Sequence, residues 1–520
     1  MEGGVVKHRG MITISLMLAT VMQALDTTIA NVALPHMQGA LSATQEQATW
    51  ILTSYIVASA IMTAPTGILA SRFGRKRLFL VAIIGFTITS ALCGLAQNLS
   101  EIVLFRALQG VFGASLIPIS QAVLLDIYPK ERHGQAMALW GVGVMLGPIL
   151  GPTLGGYLTE YFSWRWVFYI NLPVGIAAAM GVMAFLVETE KSKARRFDFL
   201  GFGLLSVAIA SLQLFLDRGQ LQDWFSSTEI IIEATVSGLC FYLFLVHILT
   251  TSKHPFLEPG IFLDRNYAAS LVLIFCFGVL ILANMALLPP YLQSLMGYPV
   301  LTAGLVMAPR GMGTMLSMIV VGKLIGKVDG RLLILFGLSM IAISLYEMSG
   351  FTGDMPLWPI IKTGVIQGFG MGFVFIPLST LAFTTLPASY RNEGTSVMSL
   401  MRNVGSSVGI SIVMTLLSRN TQISHADLSA NLVPFGNAGV ILKQVGEAMA
   451  GFTDAPIFGM LNAEVTKQAV TISYLDDFRF MMWLVVLVLV PLTLMLKGQK
   501  RAELEKIEEE TPEELYAAAE

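Results

Sequence analysis

Four ionisable side chains stand out within the apolar stretches of this 520-residue sequence: Asp26, Arg106, Arg310 and Arg402. An ionisable side chain inside a bilayer costs about 3 kcal/mol or more, so each of the four marks proton handling, ion handling or substrate contact. Asp26 lies roughly 15 residues, or about 22 Å, into a first apolar span at 1.5 Å per residue. Arg106 lies roughly five residues into a fourth span that enters from the opposite side, so the two share a layer. At 100° per residue Gln23, Asp26, Thr27 and Asn31 occupy one face of their helix. Arg106, Gln109, Gly110 and Gly113 occupy one face of theirs. Desolvation favours the neutral form of such an acid, and a neighbouring arginine favours the charged form. A proton carrier needs that opposition. A permanent ion pair that locks two helices is the other reading of the same residues, although desolvation makes buried pairs poor stabilisers.

These residues need helices to hold them. The chain is 55% hydrophobic and 13% charged, against about 25% charged in soluble proteins. A bilayer core needs roughly 20 apolar residues per helical crossing, and backbone groups in lipid must pair internally. Runs of that length recur near 11–35, 47–70, 78–96, 101–126, 134–158, 166–187, 198–216, 228–250, 266–292, 300–322, 332–350, 357–386, 392–418 and 478–497. The predicted fold class is an all-α integral membrane protein with fourteen transmembrane helices. The first run contains Asp26 and Asn31 and lacks a cleavage site, so it reads as an uncleaved span. With the N-terminus inside, 22 of the 32 Lys and Arg fall on inner segments and 6 on outer ones. That asymmetry satisfies the positive-inside rule and places both termini in the cytoplasm. The three cysteines all lie in apolar runs, which argues against a disulfide framework. The histidines are scattered, and neither a metal-ligand spacing nor a nucleophile–base constellation of an enzyme is visible.

The sequence repeats itself. Gln109-Gly110 with Gly113, Pro118 and Ser120 is echoed by Gln367-Gly368 with Gly370, Gly372, Pro377 and Ser379. A weaker echo links the stretches beginning at Gly67 and Gly322. Matching span 4 to span 12 and span 2 to span 10 gives two parallel six-helix halves, spans 1–6 and 9–14. The expected organisation is residues 1–190, an inserted helix pair at 191–262, and residues 263–498. The last of these carries a long outer loop, 419–477, with helix-like stretches at 440–451 and 462–469, and a solvated acidic tail follows at 499–520. Two further motifs suggest moving parts. Gly143, Gly147, Gly151 and Gly155, with Pro148 and Pro152 between them, make a grooved fifth span. It permits close helix packing and offers a compliant seam between the halves. The basic loop Gly67 to Arg77 includes Arg72, Gly74 and Arg75, and Arg75 is placed to bridge to Asp126 as an inner latch. Gln23, Thr27, Asn31, Gln109, Arg310, Gln367 and Arg402 are candidates to line a central substrate cavity. Arg310 and Arg402 are equally well read as satisfying freed backbone carbonyls.

Together these motifs resemble the major facilitator superfamily, and within it the fourteen-span drug:proton antiporters of the EmrB/QacA type. Leu25-Asp26-Thr27-Thr28-Ile29-Ala30-Asn31-Val32-Ala33-Leu34-Pro35 resembles that family's first-span motif, with Asp26 at its membrane-embedded acid. Arg106-Ala-Leu-Gln109-Gly110 resembles the fourth-span motif, whose arginine is implicated in proton transfer. The glycine–proline run of span 5 resembles the antiporter motif, and Trp164 to Pro173 also fits. Leu216-Asp217-Arg218-Gly219, Asp223 to Ser227 and the long outer loop resemble the Gram-negative EmrB branch. Ser71 departs from the pattern, which usually carries an acid there and uses it in the inner latch. The resemblance implies proton-driven efflux of hydrophobic or amphipathic molecules across a bacterial inner membrane, with no cofactor beyond the proton gradient. It also implies an EmrA-type periplasmic adaptor and a TolC-type outer-membrane channel. An exporter dedicated to one metabolite, lipid or siderophore is the alternative on the same scaffold.

Overall fold

The structure is a computed structural model that describes residues 8–129, 132–188, 197–250, 255–387, 390–430 and 454–496. Helices dominate it: α1 (Arg9–Ala40), α2 (Gln45–Thr63), α3 (Thr66–Phe73), α4 (Arg75–Leu95), α5 (Leu99–Gly113) and α6 (Leu116–Ile127) come first. Then follow α7 (His133–Tyr161), α8 (Trp166–Tyr169), α9 (Asn171–Phe185), α10 (Phe199–Arg218) and α11 (Thr228–Thr250). The remainder is α12 (Arg265–Pro290), α13 (Val300–Leu324), α14 (Gly330–Met348), α15 (Leu357–Thr384), α16 (Arg391–Ala430), α17 (Asp454–Leu484) and α18 (Val490–Leu494). Among the described residues thirteen helical segments are long and apolar enough to cross a membrane, or fourteen when α2 and α3, bent by 56°, count as one span. Caps fix several starts: Thr44 and Gln47 form a capping box at α2, Asn98 caps α5 and Asp264 caps α12. Hydroxyls within the spans bond carbonyls one turn back, as Thr20 does to Leu16 and Thr380 to Ile376, so few reach lipid unpaired.

Helices α1, α2, α4, α5, α7 and α9 pack on one another, and α12 to α17 do likewise. The two groups meet along α7 and α13, whose backbones approach at Gly304 with Pro152 and at Gly322 with Ala138. Helices α10 and α11 pair beside α2, and α11 turns Ile232, Leu239, Phe241 and Leu249 outward, as a lipid-facing helix does.

Two expectations change. The glycine ridge of α7 faces α1, not the other group: a Cβ at Gly147 would strike the Ala24 backbone, and one at Gly151 would strike Thr28. Thr28 Oγ1 also donates to Gly147 O at 3.0 Å. The ridge is therefore a close-packing surface beside Asp26, and the seam with the second group uses the opposite face of α7. That helix stays unbroken across positions 148 and 152. The segment 419–477 is also less of a loop than its sequence suggests. α16 has 40 residues, roughly 60 Å of helix at 1.5 Å per residue, twice the bilayer core. The far end of α16 packs against α17, where His425 Nε2 meets Asn462 Oδ1 at 3.0 Å. The helix-like stretch 462–469 falls inside α17, whereas 440–451 and the tail 499–520 lie outside the described residues.

Candidate functional site

Asp26 and Arg106 meet in the core of the first helix group, 0% and 1% exposed. Arg106 Nη1 donates to Asp26 Oδ2 at 2.6 Å. Oδ1 of the same carboxylate accepts from Gln109 Nε2 at 2.9 Å and from Asn171 Nδ2 at 2.8 Å. Arg106 is itself held on three sides. Its Nε donates to Ile51 O at 3.2 Å, its Nη1 donates to Gln109 Oε1 at 2.7 Å, and its guanidinium lies 4.2 Å from the centre of the Tyr55 ring. Asn171 also donates to Ser90, whose hydroxyl donates to Phe168 O at 2.8 Å. Donors from α5 and α9 thus converge on the α1 carboxylate, braced by Ile51 and Tyr55 of α2 and Ser90 of α4. A proton on Oδ1, which already accepts two bonds, must displace Gln109 or Asn171, and one on Oδ2 removes the charge that holds Arg106. Protonation there loosens a contact between helices, which is the chemical requirement for coupling a proton to a conformational change.

The other sequence-predicted residues divide. Gln23 is buried near the cluster and its Oε1 has no hydrogen-bond partner. Thr27 bonds only carbonyls of its own helix, and Asn31 is exposed, so neither joins the cluster. In the second group Arg310 is buried, with Nη1 donating to Asn284 Oδ1 at 2.8 Å and Nη2 lying 3.6 Å from Met371 Sδ. Gln367 is buried nearby on α15, its Oε1 unpartnered. Arg402 lines a tight crevice, without room for a water molecule, with Gln121, Ile274, Phe375, Ser379, Met398 and Ser399. Among the described residues no carboxylate pairs with Arg310 or Arg402. Drug-sized ligands fill a few hundred Å³, so the two groups are closed on each other at this crevice.

The closure has a visible latch on the side that carries the basic loops. Asp126 at the end of α6 pairs with Arg75 and also, at 2.8 Å, with Arg391 of α16. The expected Arg75–Asp126 bridge is present, and one acid ties both helix groups. Asn392 donates to Ser71 Oγ at 3.4 Å, where the family pattern would place an acid. A Cβ at Gly67 would meet the Asn392–Glu393 backbone at 2.8 Å. Gly74 has φ +92°, a left-handed conformation suited to glycine. The Glu188 carboxylate fills the space above it and accepts from the amides of Lys76 and Arg77, capping α4. Arg72 is exposed and stacks on Phe73. Deeper in, Trp140 of α7 stacks on Phe375 of α15 at 5.7 Å.

A family model described as Major Facilitator Superfamily matches residues 16–410. The chain belongs to the major facilitator superfamily. It is 37% identical over 471 residues to the probable multidrug resistance protein EmrY of Escherichia coli (strain K12), covering 90% of this chain and 91% of that one. It is 36% identical over 473 residues to the multidrug export protein EmrB of the same organism, with the same coverage. The fatty acid resistance protein FarB of Neisseria gonorrhoeae is 34% identical over 468 residues, 90% of this chain and 92% of FarB. Among solved structures the fold is similar to the human organic anion transporter MFSD10, with TM-score 0.57 and 14% identity over 92% of this chain and 99% of that one. A bacterial homologue of the lysosomal transporter Spinster aligns with TM-score 0.55 and 15% identity, over 95% and 98% of the two chains.

For a superfamily member the site holds residues that its motifs did not single out. Asn171 sits in the stretch Trp164 to Pro173, whose match to the family pattern assigned it no role, yet it contacts Asp26 directly. Ser90, Tyr55 and Asn284 are neutral side chains in apolar helices and were singled out by no motif.

Proposed function

We propose that this membrane protein exports amphipathic small molecules in exchange for protons, with Asp26 as the proton-binding acid and Arg106 as its counter-ion. The observation that carries the reading is the Asp26 cluster: a fully buried carboxylate whose donors come from α5 and α9, themselves braced by α2 and α4. The relatives named for multidrug export support the substrate class. In this reading the basic loops face the cytoplasm, both termini lie there, and the membrane is a bacterial inner membrane. The Asp126 latch then closes the cytoplasmic side. Substrate leaves toward the outside while a proton reaches Asp26, displaces Arg106 or Asn171, and frees α1 against α5 and α9. Reopening the latch returns the site inward. Gln109 positions Arg106 and Asp26 together, and the proton gradient replaces any cofactor. The extramembrane reach of α16 and α17 suits an EmrA-type adaptor that links to a TolC-type channel.

A second reading makes amphipathic acids the main cargo. Arg310 and Arg402 give the interior positive charge without a paired carboxylate among the described residues, and FarB is named for fatty acid resistance. A susceptibility panel of lipophilic cations, neutral drugs and long-chain acids separates the readings.

The direct test is efflux in inverted vesicles under an imposed pH gradient. Asp26→Asn should insert at wild-type levels and lose proton-driven transport. Unchanged proton-driven transport in that variant would sink the assignment.

A further inference from the structure

Two carboxylates are buried among the described residues, Asp26 and Asp477, both 0% exposed. Their surroundings are opposite. Asp26 accepts from an arginine and two amides, whereas both oxygens of Asp477 lack any hydrogen-bond partner. Asp477 lies on the face of α17 that also buries Ser473, Tyr474, Phe478 and Met481. The hydroxyl one turn earlier, Ser473, spends its proton on Ala469 O at 2.8 Å. The apolar wall is continuous: the Tyr474 ring lies 5.4 Å from Tyr291, and Phe478 lies 6.4 Å from Tyr291 and 6.2 Å from Phe351.

The charged groups around α17 are engaged elsewhere. On its own helix Asp476 pairs with Arg479 at 3.4 Å, and both are exposed. On α14, Glu347 holds Lys362 at 2.8 Å. On α16, His425 meets Asn462, and Arg419 and Asp427 are exposed. Tyr291, after α12, directs its hydroxyl to Thr352 O at 3.4 Å. An ionised carboxylate in that setting would lack both donor and counter-charge, at a cost of several kcal/mol. A neutral acid avoids most of it.

Level matters as well as chemistry. Asp26 is 17 residues from Arg9 and Asp477 is 17 residues from Leu494, about 25 Å of helix in each case. The two acids thus sit at similar distances from their helix ends, on the two sides of the α7–α13 seam. The Asp476–Arg479 ion pair lies on the outward side of the same stretch of α17.

We propose that Asp477 is a second proton-binding residue of the transport cycle, protonated in this closed conformation while Asp26 is ion-paired. When α17 shifts against α14 and α16, water reaches the acid. Its O–H bond then breaks, the proton passes to water as hydronium, and a carboxylate remains. The reverse step reloads it. This role in the cycle rests on the proton-exchange reading above; the protonation state does not.

Infrared difference spectroscopy of the full chain in liposomes, titrated from mildly acidic to alkaline pH, reads the carbonyl stretch of protonated carboxylic acids directly. Wild type should show such a band. Asp26→Asn should keep it, Asp477→Asn should lose it, and Asp477→Glu should restore a shifted one. A band untouched by Asp477→Asn overturns the proposal, whatever the transport data show. In the same liposomes, protons taken up per molecule of a lipophilic dye exported should fall by one in Asp477→Asn. An unchanged ratio rules out the role in the cycle. Loss of the band with wild-type export by Asp26→Asn would sink the Asp26 assignment instead, so the two failures are distinguishable.

Discussion

The two helix groups solve one problem in two ways. Gln109 and Gln367 are related by an offset of 258 residues, and the same offset carries Asp26 onto Asn284. Each of those side chains holds an arginine: Asp26 holds Arg106 at 2.6 Å, and Asn284 holds Arg310 at 2.8 Å. The partner arginines come from different helices, α5 in the first group and α13 in the second. Glycines do matching work. A Cβ at Gly110 would strike the Tyr55 carbonyl of α2, and one at Gly368 would strike the Arg310 carbonyl of α13. The repeat thus preserves the helix contact while the chemistry diverges. One cluster is charge-balanced and its carboxylate is fully hydrogen-bonded. The other keeps an uncompensated cation and an unpartnered amide oxygen. A proton can act on the first because a carboxylate is there to receive it; the second holds a fixed positive charge.

The largest effect should follow from breaking the balanced pair. Arg106→Met leaves the Asp26 carboxylate buried with amide donors only, and loss of one partner of a buried pair costs about 3–5 kcal/mol. The thermal midpoint of the detergent-solubilised protein should fall sharply. Adding Asp26→Asn should recover most of the loss, because the uncompensated charge is then gone, and should leave proton-driven export absent. A single Arg106→Met variant as stable as wild type would show that Asp26 is not ionised in this state.

Much of this arrangement was legible in the sequence, for a physical reason. The depth of a charged residue follows from counting along a helix of known rise, so Asp26 and Arg106 could be set in one layer and Arg75 set near Asp126 before any coordinates. What counting cannot give is the azimuth of one helix against another. The glycines of α7 announced a smooth face, but nothing in their spacing said that α1, and not α13, fills it. Asn171 and Ser90 are single polar residues in apolar runs and have no periodicity to betray them. Asp477 was assigned to the outer loop because hydropathy becomes continuous only after it. The helix that buries it starts much earlier, at Asp454. Ser71 raised doubt about the latch, which the structure resolves by letting Asp126 hold arginines from both groups.

A smaller and more selective effect separates the two glutamines. Gln109 bonds Asp26 and accepts from Arg106, so Gln109→Leu strips a donor from the carboxylate and an acceptor from the guanidinium. Leaving such groups unpaired costs about 1–3 kcal/mol. Gln367 already carries an unpartnered oxygen, so Gln367→Leu gives up no bond there and should cost clearly less than Gln109→Leu. Parallel melts of the two variants check this. Equal losses would mean that the second cluster is as tightly organised as the first, and the contrast between them would fail.

The subtlest test rewrites the second cluster in the chemistry of the first. Asn284→Asp is nearly isosteric and keeps the acceptor that Arg310 already uses at 2.8 Å. The amide it loses makes only a 3.7 Å contact to Met348 Sδ. Folding should survive, since a cation gains a counter-charge. The interior then loses one unit of positive charge, and attraction for an anionic headgroup weakens with it. Export of long-chain acids should drop three- to tenfold, about 0.6–1.4 kcal/mol, while export of lipophilic cations holds or rises. Efflux rates for one acid and one cation of similar size, measured in the same vesicles, give the ratio directly. An unaltered ratio would mean that the fixed charge at Arg310 does not select cargo. The second cluster would then be a packing element that the repeat conserved in shape alone.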